Sequence, residues 1–145
     1  KVNSHFDLCL FNTFRSYIDF KNFFPKKHEG FKDARGLFSE LIRSFSEGQT
    51  SYSITKKGER RGNHFHSRKI ERFSVIKGKA KIQIREVLSE EKIEFILDGK
   101  TPSYVDMPIW YTHNIENIGD EDLITIFWIN EHYAEDSSDT YLENV

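Results

Sequence analysis

The sequence predicts an all-β domain, a sandwich or barrel, and three observations support this. Short segments that alternate apolar and polar residues recur at intervals of about ten residues from Gly30 onward. Pairs of turn-forming residues that contain glycine separate these segments. No long helical pattern lies between them. At 145 residues the chain is long enough for one domain with a proper hydrophobic core.

The predicted strands follow from a period of two, which is typical of half-buried strands. Their apolar positions are Tyr52 and Ile54, then Ala80, Ile82 and Ile84, then Ile93, Phe95 and Leu97. The segment Leu123–Ile129 is apolar on both faces, which predicts a strand covered on both sides. Turns are predicted at Glu47–Gly48, Lys57–Gly58, Lys77–Gly78, Asp98–Gly99 and Gly119–Asp120. The polar segment Asp136–Val145 is predicted to lie on the surface.

The first two dozen residues differ from the rest. Apolar residues recur there at spacings of about three and four, which predicts a short amphipathic helix. Pro25 ends this pattern. We interpret residues 1–24 as a connector or the tail of a preceding domain, and residues 25–145 as the barrel domain. Because the chain begins with Lys1 rather than Met, we expect it to be a piece of a longer protein.

Composition excludes several classes of function. The chain has 21 Lys plus Arg against 23 Asp plus Glu, a net charge of −2, which argues against nucleic acid or an acidic membrane surface as a partner. No apolar run approaches the length of a membrane span. The one cysteine, Cys9, cannot form an internal disulfide and suits a reducing compartment, so we expect a cytoplasmic protein.

Two segments contain candidate metal ligands. His64 and His66 are two residues apart, so on a strand both imidazoles project from the same face, and Glu71 follows after room for a turn. Gly78 permits the tight turn before the next strand. Farther along, His113 stands near the start of another strand. Three imidazoles and a carboxylate suit Zn²⁺, Fe²⁺, Ni²⁺ or Mn²⁺, with zinc expected first. His5, His28 and His132 stand alone and are not expected to be ligands.

These residues resemble the two cupin motifs. The spacing His64-x-His66-x₄-Glu71-x₆-Gly78 matches the first motif completely, and Pro108, His113 and Asn117 match the second. Trp110 departs from the second motif, because a glycine is common at that position, and this puts the shape of the turn before His113 in question. The resemblance implies a cupin barrel, also called a jelly roll or double-stranded β-helix.

A narrower resemblance covers almost the whole chain. Asp33–Phe38 resembles a turn of sugar-nucleotide cupins such as the dTDP-4-keto-sugar 3,5-epimerases and ketoisomerases. Other segments are similar to the C-terminal cupin half of the capsular polysaccharide enzymes of the CapF/WbjC type. These segments are Phe11–Tyr17, Arg61–His66, Lys69–Phe73, Tyr111–Gly119 and Asp139–Glu143.

The resemblance implies a function. In such enzymes the cupin is taken to epimerise C3 of a UDP-4-keto-6-deoxy-N-acetylhexosamine on the route to UDP-N-acetyl-L-fucosamine. An N-terminal NAD(P)-dependent short-chain reductase then reduces C4. No glycine-rich dinucleotide fingerprint occurs in this chain, so we expect it to be the epimerase half. The resemblance also implies a homodimer, because cupins of this family associate through their barrels.

Residues that could carry protons in this reaction must have side chains that reach the mouth of the barrel beside the metal. Tyr111 lies two residues before His113 and Lys69 two before Glu71, while Tyr52 lies on a strand expected to line the cavity. Arg61 could bind the diphosphate of the substrate as a bidentate donor. A core role for Tyr111 and surface roles for Lys69 and Arg61 remain open, and the sequence does not single out the base.

Other functions remain open as well. One is another cupin enzyme, such as a dTDP-sugar 3,4-ketoisomerase or 3,5-epimerase, or a metal-dependent dioxygenase. The other is a sugar-binding or dimerising module in which the metal is structural, since four protein ligands can close a site.

Overall fold

The computed structural model describes residues 31–43, 48–101 and 103–145, together with the isolated positions 4, 6, 7, 10 and 13. The predicted helical connector, residues 1–24, lies almost wholly outside the described residues and stays a prediction. So does the domain boundary at residue 25. In the described part of the chain, no helix has the length and apolar character that crossing a membrane requires.

Nearly all of the regular secondary structure in the described residues is strand. The strands are β1 (Phe31–Asp33), β2 (Gly36–Arg43), β3 (Gln49–Thr55), β4 (Arg60–Phe65), β5 (Glu71–Lys77), β6 (Lys79–Glu86), β7 (Lys92–Asp98), β8 (Ser103–Met107), β9 (Tyr111–Asn117), β10 (Leu123–Ile129) and β11 (Tyr141–Leu142). One turn of 3-10 helix, Glu135–Ser137, precedes β11. The all-β prediction is confirmed, and β3, β6, β7 and β10 contain the four alternating or apolar segments.

The strands form two antiparallel sheets. One has the order β1-β2-β3-β10-β5-β8 and the other the order β11-β4-β9-β6-β7. From β3 to β6, and again from β7 to β11, consecutive strands alternate between the two sheets. This alternation is that of a jelly roll. It also brings residues that are distant in sequence to the space between the sheets.

The hydrophobic core lies between the two sheets at one end. Four of its fully buried side chains come from the six-stranded sheet and five from the other; they are Phe73, Val75, Met107 and Leu123, and Ala80, Ile82, Ile84, Leu97 and Ile115. At the other end the inward-facing residues of β3 are polar: Gln49 and Ser51 line a cavity there. The fold thus has a packed end and a hollow end, where β3 contributes polar side chains to a cavity.

One prediction about exposure was wrong and another was confirmed with one exception. The outward residues of β10 are only partly covered, and Trp128 remains 39% exposed, because among the described residues no layer packs fully over the outer face of the six-stranded sheet. The C-terminal segment lies largely on the surface, as predicted, except for one buried side chain. Asp139 is only 5% exposed, and β11 pairs with β4.

Candidate metal centre

A β-bulge in β4 sets the direction of the first histidine. Gly62 and Asn63 both have positive φ, 98° and 61°, and the pairing with β9 shifts register between Gly62 and His64. Only glycine fits at position 62, because an added Cβ would lie 2.6 Å from the backbone oxygen of His113. After the bulge, His64 stands directly opposite His113 in the ladder.

The four candidate ligands converge from both sheets. His64 is on β4, His66 directly follows it, and His113 is on β9, whereas Glu71 begins β5 in the opposite sheet. One ligand atom from each residue lies within 4.8 Å of those of the other three. Oε2 of Glu71 is 3.0 Å from Nε2 of His113 and 3.4 Å from Nε2 of His66. The cluster therefore spans the gap between the sheets.

The ligand atoms are arranged to bind a shared divalent ion and do not form hydrogen bonds with one another. Nε2 of His66, Nε2 of His113 and Oε2 of Glu71 are buried without a hydrogen-bond partner, although they lie close together. Buried polar atoms are rarely left unpaired in native proteins. Two atoms that each lie about 2.1 Å from one zinc ion in a tetrahedron are about 3.4 Å apart, which is close to the observed separations. The donor set and its spacing therefore suit a metal ion.

Backbone carbonyls orient two of the imidazoles. Nδ1 of His66 donates to the backbone oxygen of Asp139 at 2.5 Å, and Nδ1 of His113 donates to that of Tyr111 at 3.1 Å. A carbonyl only accepts, so each Nδ1 carries the proton. In the neutral ring Nε2 then presents a lone pair towards Glu71. Metal-bound histidines are usually held this way by their second nitrogen.

The charges of the cluster are strongly coupled. Burial raises the pKa of Glu71, but the close imidazoles of His113 and His66 outweigh it, so the pKa is lowered far below its usual value. Burial alone would lower the pKa of His66, yet the Glu71 carboxylate raises it overall. Burial, and then the charge of His113, lower the pKa of His64 to about 4. Glu71 is thus ionised and His64 neutral near pH 7, as metal ligation requires.

The low pKa of His64 makes the metal-free protein sensitive to acid. Its folded pKa of about 4 is below the ordinary value of 6.5, so the unfolded chain binds the proton more readily, and stability falls as pH decreases from 6.5 towards 4. Between pH 7 and pH 5 we expect this group to remove on the order of 2 kcal/mol. Urea unfolding in chelator at both pH values should show that loss in the natural chain and not in His64→Gln. An equal loss in both proteins would contradict the assignment.

A cavity of about 690 Å³ opens beside the cluster. His64, His66 and Glu71 lie on its wall, while His113 is completely buried behind them. Aromatic and aliphatic residues cover much of the remaining wall, including Phe38, Phe73, Ile115, Phe127 and Ile129. A cavity of this size, largely apolar with a few convergent polar groups, is typical of a small-molecule site.

Lys69 and Arg61 both line the cavity, as the sequence suggested. Lys69 is only 1% exposed, so it is not a solvated loop residue; its Nζ donates to the backbone oxygen of Ser138 at 2.6 Å. Arg61 is mostly buried, and its Nε donates to Oγ1 of Thr55 at 3.1 Å. Nη2 of Arg61 is buried without a hydrogen-bond partner. Burial, and then the nearby charge of Arg35, lower the pKa of Arg61.

The expectation that Tyr52 and Tyr111 reach the cavity was wrong. On β3 the inward residues are Ser51 and Ser53, and Tyr52 lies on the opposite face. Tyr111 packs against the hydrophobic core instead of lining the cavity, and its backbone oxygen orients His113. Alternation along a strand shows which residues share a face, but it does not show which face is hollow.

Sequence reasoning missed two residues of the site and questioned a third. Tyr133, just past β10, lines the cavity with its ring centre 6.0 Å from Nζ of Lys69. Asp139 contacts the turn between His66 and Glu71. Its only sequence signal was its place in the segment Asp139–Glu143. Trp110 adopts a φ of 62°, a left-handed conformation that glycine enters more readily than other residues.

Comparisons with known proteins agree with this architecture. Over 141 residues the chain is 31% identical to the UDP-2-acetamido-2,6-beta-L-arabino-hexul-4-ose reductase of Pseudomonas aeruginosa, covering 97% of this chain and 38% of that protein. It is 40% identical to the solved capsular polysaccharide assembling protein CapF of Staphylococcus aureus, with a TM-score of 0.93, covering 100% of this chain and 39% of that one. The chain thus spans about two fifths of the length of each.

A more distant structure supports the fold alone. The CENP-C cupin domain of Drosophila melanogaster is 11% identical, with a TM-score of 0.59, over 70% of this chain and 74% of that one. The predicted cupin barrel is therefore confirmed. Residues 31–141 match the family described as the Polysaccharide biosynthesis C-terminal domain. The chain belongs to this polysaccharide biosynthesis C-terminal domain family and has a cupin fold.

Proposed function

We propose that this chain is a metal-binding nucleotide-sugar epimerase domain that inverts C3 of a UDP-4-keto-6-deoxy-N-acetylhexosamine, in the synthesis of an L-FucNAc precursor of capsule or O-antigen. The observation that carries the proposal is the cluster of His64, His66, Glu71 and His113 at the wall of a cavity. The relatives support the substrate class. One is named for a UDP-linked hexul-4-ose, a sugar with a ketone at C4, and the other for capsular polysaccharide assembly.

The metal in this proposal is zinc, held by Nε2 of His66 and of His113, by a ring nitrogen of His64 and by Glu71. Imidazole and carboxylate ligands are common for Zn²⁺, and Ni²⁺, Fe²⁺ and Mn²⁺ accept the same set. When bound, the ion supplies a Lewis acid that stabilises negative charge on a carbonyl oxygen.

Epimerisation next to a ketone needs one group that removes the C3 proton and another that returns a proton to the opposite face. We assign these roles to Lys69 and Tyr133, which both line the cavity. Burial of Lys69 keeps water from competing for its proton. Tyr52 and Tyr111 do not line the cavity, so they have no place in this assignment.

The diphosphate of the substrate is assigned to Arg61 and Arg35, which both line the cavity. The buried Nη2 of Arg61 has no hydrogen-bond partner: Oδ1 of Asp33 lies 4.0 Å from it, and its neighbour Arg35 repels it. Arg35 forms an ion pair with Asp33: its Nε and Nη2 donate to Oδ2 of Asp33 at 3.0 and 2.5 Å. A phosphate oxygen would satisfy the free donor and relieve the repulsion between the two arginines.

The reaction is tested by incubating the zinc-loaded chain with UDP-4-keto-6-deoxy-N-acetylhexosamine in D₂O and no nicotinamide. The proposal predicts one deuterium at C3, seen by mass spectrometry and located by NMR. Exchange at C5 would assign the chain to the 3,5-epimerases. Movement of the ketone to C3 would make it a 3,4-ketoisomerase.

A second candidate function is a sugar-binding or dimerising module with a structural metal. The four protein ligands favour it, because structural zinc sites are closed by protein whereas catalytic sites keep an open position. Exchange at the uncatalysed rate, with zinc bound and the sugar present, would select this function.

We also propose that the chain forms a homodimer through the outer face of its six-stranded sheet. Apart from Thr50, the outward residues of the two central strands are apolar and only partly covered: Tyr52, Ile54, Ile124, Ile126 and Trp128. Contiguous apolar surface of this kind is typical of protein interfaces. Light scattering at tens of micromolar should give twice the chain mass of 17.2 kDa. A species of 17.2 kDa alone would exclude the dimer.

A reductase activity in the same longer protein would complement the proposed epimerase activity. The Pseudomonas aeruginosa relative is a reductase, and the match covers 38% of it. We propose that an NAD(P)-dependent reductase domain precedes this domain in the longer chain and consumes the epimerised ketone. The cytoplasmic location predicted from Cys9 belongs to the same proposal, because nucleotide sugars are made there.

A further inference from the structure

The turn that joins the ligands His66 and Glu71 is held by one distant carboxylate. Oδ1 of Asp139 accepts hydrogen bonds from the backbone N–H of Ser67 at 3.1 Å and from its hydroxyl at 2.5 Å. Oδ2 accepts from the backbone N–H groups of Arg68 at 3.0 Å and Lys69 at 3.2 Å. Four donors of one turn thus converge on a side chain about 70 residues away in sequence.

The backbone of Asp139 also contacts one of the candidate metal-binding residues, His66. Its carbonyl oxygen accepts the Nδ1 proton of His66, so the same residue fixes the imidazole and the turn that follows it. Asp139 is 5% exposed and adopts a φ of 47°, a conformation that aspartate and asparagine tolerate better than most residues. Burial raises the pKa of Asp139, but the donors of Ser67 and Arg68 lower it to about 2, so it is a carboxylate near pH 7.

The segment that carries Asp139 is itself anchored to the barrel. β11 pairs with β4 opposite His64 and Phe65. The buried guanidinium of Arg85 donates to Oε1 of Glu143 at 2.7 Å and to the backbone oxygen of Asn144 at 2.6 Å. These contacts anchor the segment to the barrel directly after Asp139. Pairing of this kind gives the carboxylate and carbonyl of Asp139 a fixed position beside the turn.

From this geometry we infer that Asp139 is a positioning residue of the metal centre, which orients His66 and sets its spacing from Glu71. The inference rests on the proposed metal site. Residues that support ligands in this way typically change metal affinity by about 10- to 100-fold when replaced. Asp139 is not one of the four candidate ligands; it acts through its contacts with His66 and with the turn.

The test is the zinc affinity of three forms of the 145-residue chain, measured by chelator competition at neutral pH. Asp139→Asn keeps the size and the tolerance of positive φ but offers only one acceptor oxygen to the four donors. We expect its zinc affinity to fall about 10- to 100-fold. Asp136→Asn, on the 3-10 turn of the same segment, is the matched control and should bind as the natural chain does. Far-UV circular dichroism confirms that each variant is folded.

Two further readings separate positioning from general stability. Ser67→Ala removes one of the four donors and should weaken zinc binding less than Asp139→Asn does. The visible absorption of bound Co²⁺ reports ligand geometry and should shift in Asp139→Asn but not in Asp136→Asn. The inference is overturned if Asp139→Asn binds zinc as tightly as the control and its Co²⁺ spectrum is unshifted, even when the variant is less stable. Absence of zinc binding in the natural chain would overturn the metal site itself, and the positioning role with it.

Discussion

Replacing His113 with glutamine is expected to reduce bound zinc from about one ion per chain to less than about a tenth of an ion. His113 is completely buried, and its Nε2 lies 3.0 Å from Oε2 of Glu71, so no neighbouring side chain or water can take its place easily. Glutamine fills most of the volume, which limits collapse of the site. Elemental analysis of protein purified without chelators, before and after dialysis against zinc, measures the change.

His132→Gln is the matched control for this change. His132 lies outside the cluster, and its Nε2 contacts the backbone oxygen of Gly48 at 3.0 Å. The control should keep its full complement of zinc. Full zinc occupancy in His113→Gln would show that this residue is not a ligand, and equal losses in both variants would show that the effect is not specific to the cluster.

Replacing Lys69 with glutamine is expected to slow deuterium exchange at C3 by about 10²-fold or more, the usual size of a general acid–base contribution. Among the described residues Lys69 is the one lysine that lines the cavity. A glutamine amide can still donate to the backbone oxygen of Ser138, the partner of Nζ, but it cannot carry a proton. Zinc content should not change, which separates lost chemistry from a lost site.

Lys92→Gln is the control for charge and composition. Lys92 begins β7, and its Nζ donates to the backbone oxygen of Val145, away from the cavity. It should exchange at the natural rate. Natural exchange in Lys69→Gln with zinc bound would remove Lys69 from the mechanism, and a fall in both variants would point to a general loss of activity.

Most of the barrel could be predicted from local pattern. The period of two located β6 and β7 within a residue or two. One face of β6 lies in the core, whereas on β7 Leu97 is buried and Ile93 is 43% exposed. β10 was placed correctly, but its outer face was predicted to be covered. An apolar outer face has the same sequence whether a layer of its own chain covers it, a second copy does, or nothing does. Sequence pattern alone cannot distinguish these cases.

The site was predictable only in part, for a related reason. The spacing of His64 and His66 is local, so strand geometry placed both on one face. The meeting of Glu71 with His113 depends on which strands pair, and only the motif resemblance indicated it. Tyr52 was misplaced because the face of its strand that holds Tyr52 and Ile54 points outward, whereas the polar face lines the cavity. Asp139 was missed because its partners lie about 70 residues away and nothing in its own neighbourhood indicates a buried carboxylate.

The central claim is that these four side chains hold one divalent ion, and anomalous diffraction at the zinc absorption edge tests it most directly. Crystals grown with zinc should show one strong anomalous peak per chain, at about 2.0 to 2.2 Å from a nitrogen of His64, His66 and His113 and from an oxygen of Glu71. The peak should vanish when data are collected below the edge. A cluster without an anomalous peak, while zinc is present in the crystal, would contradict the account.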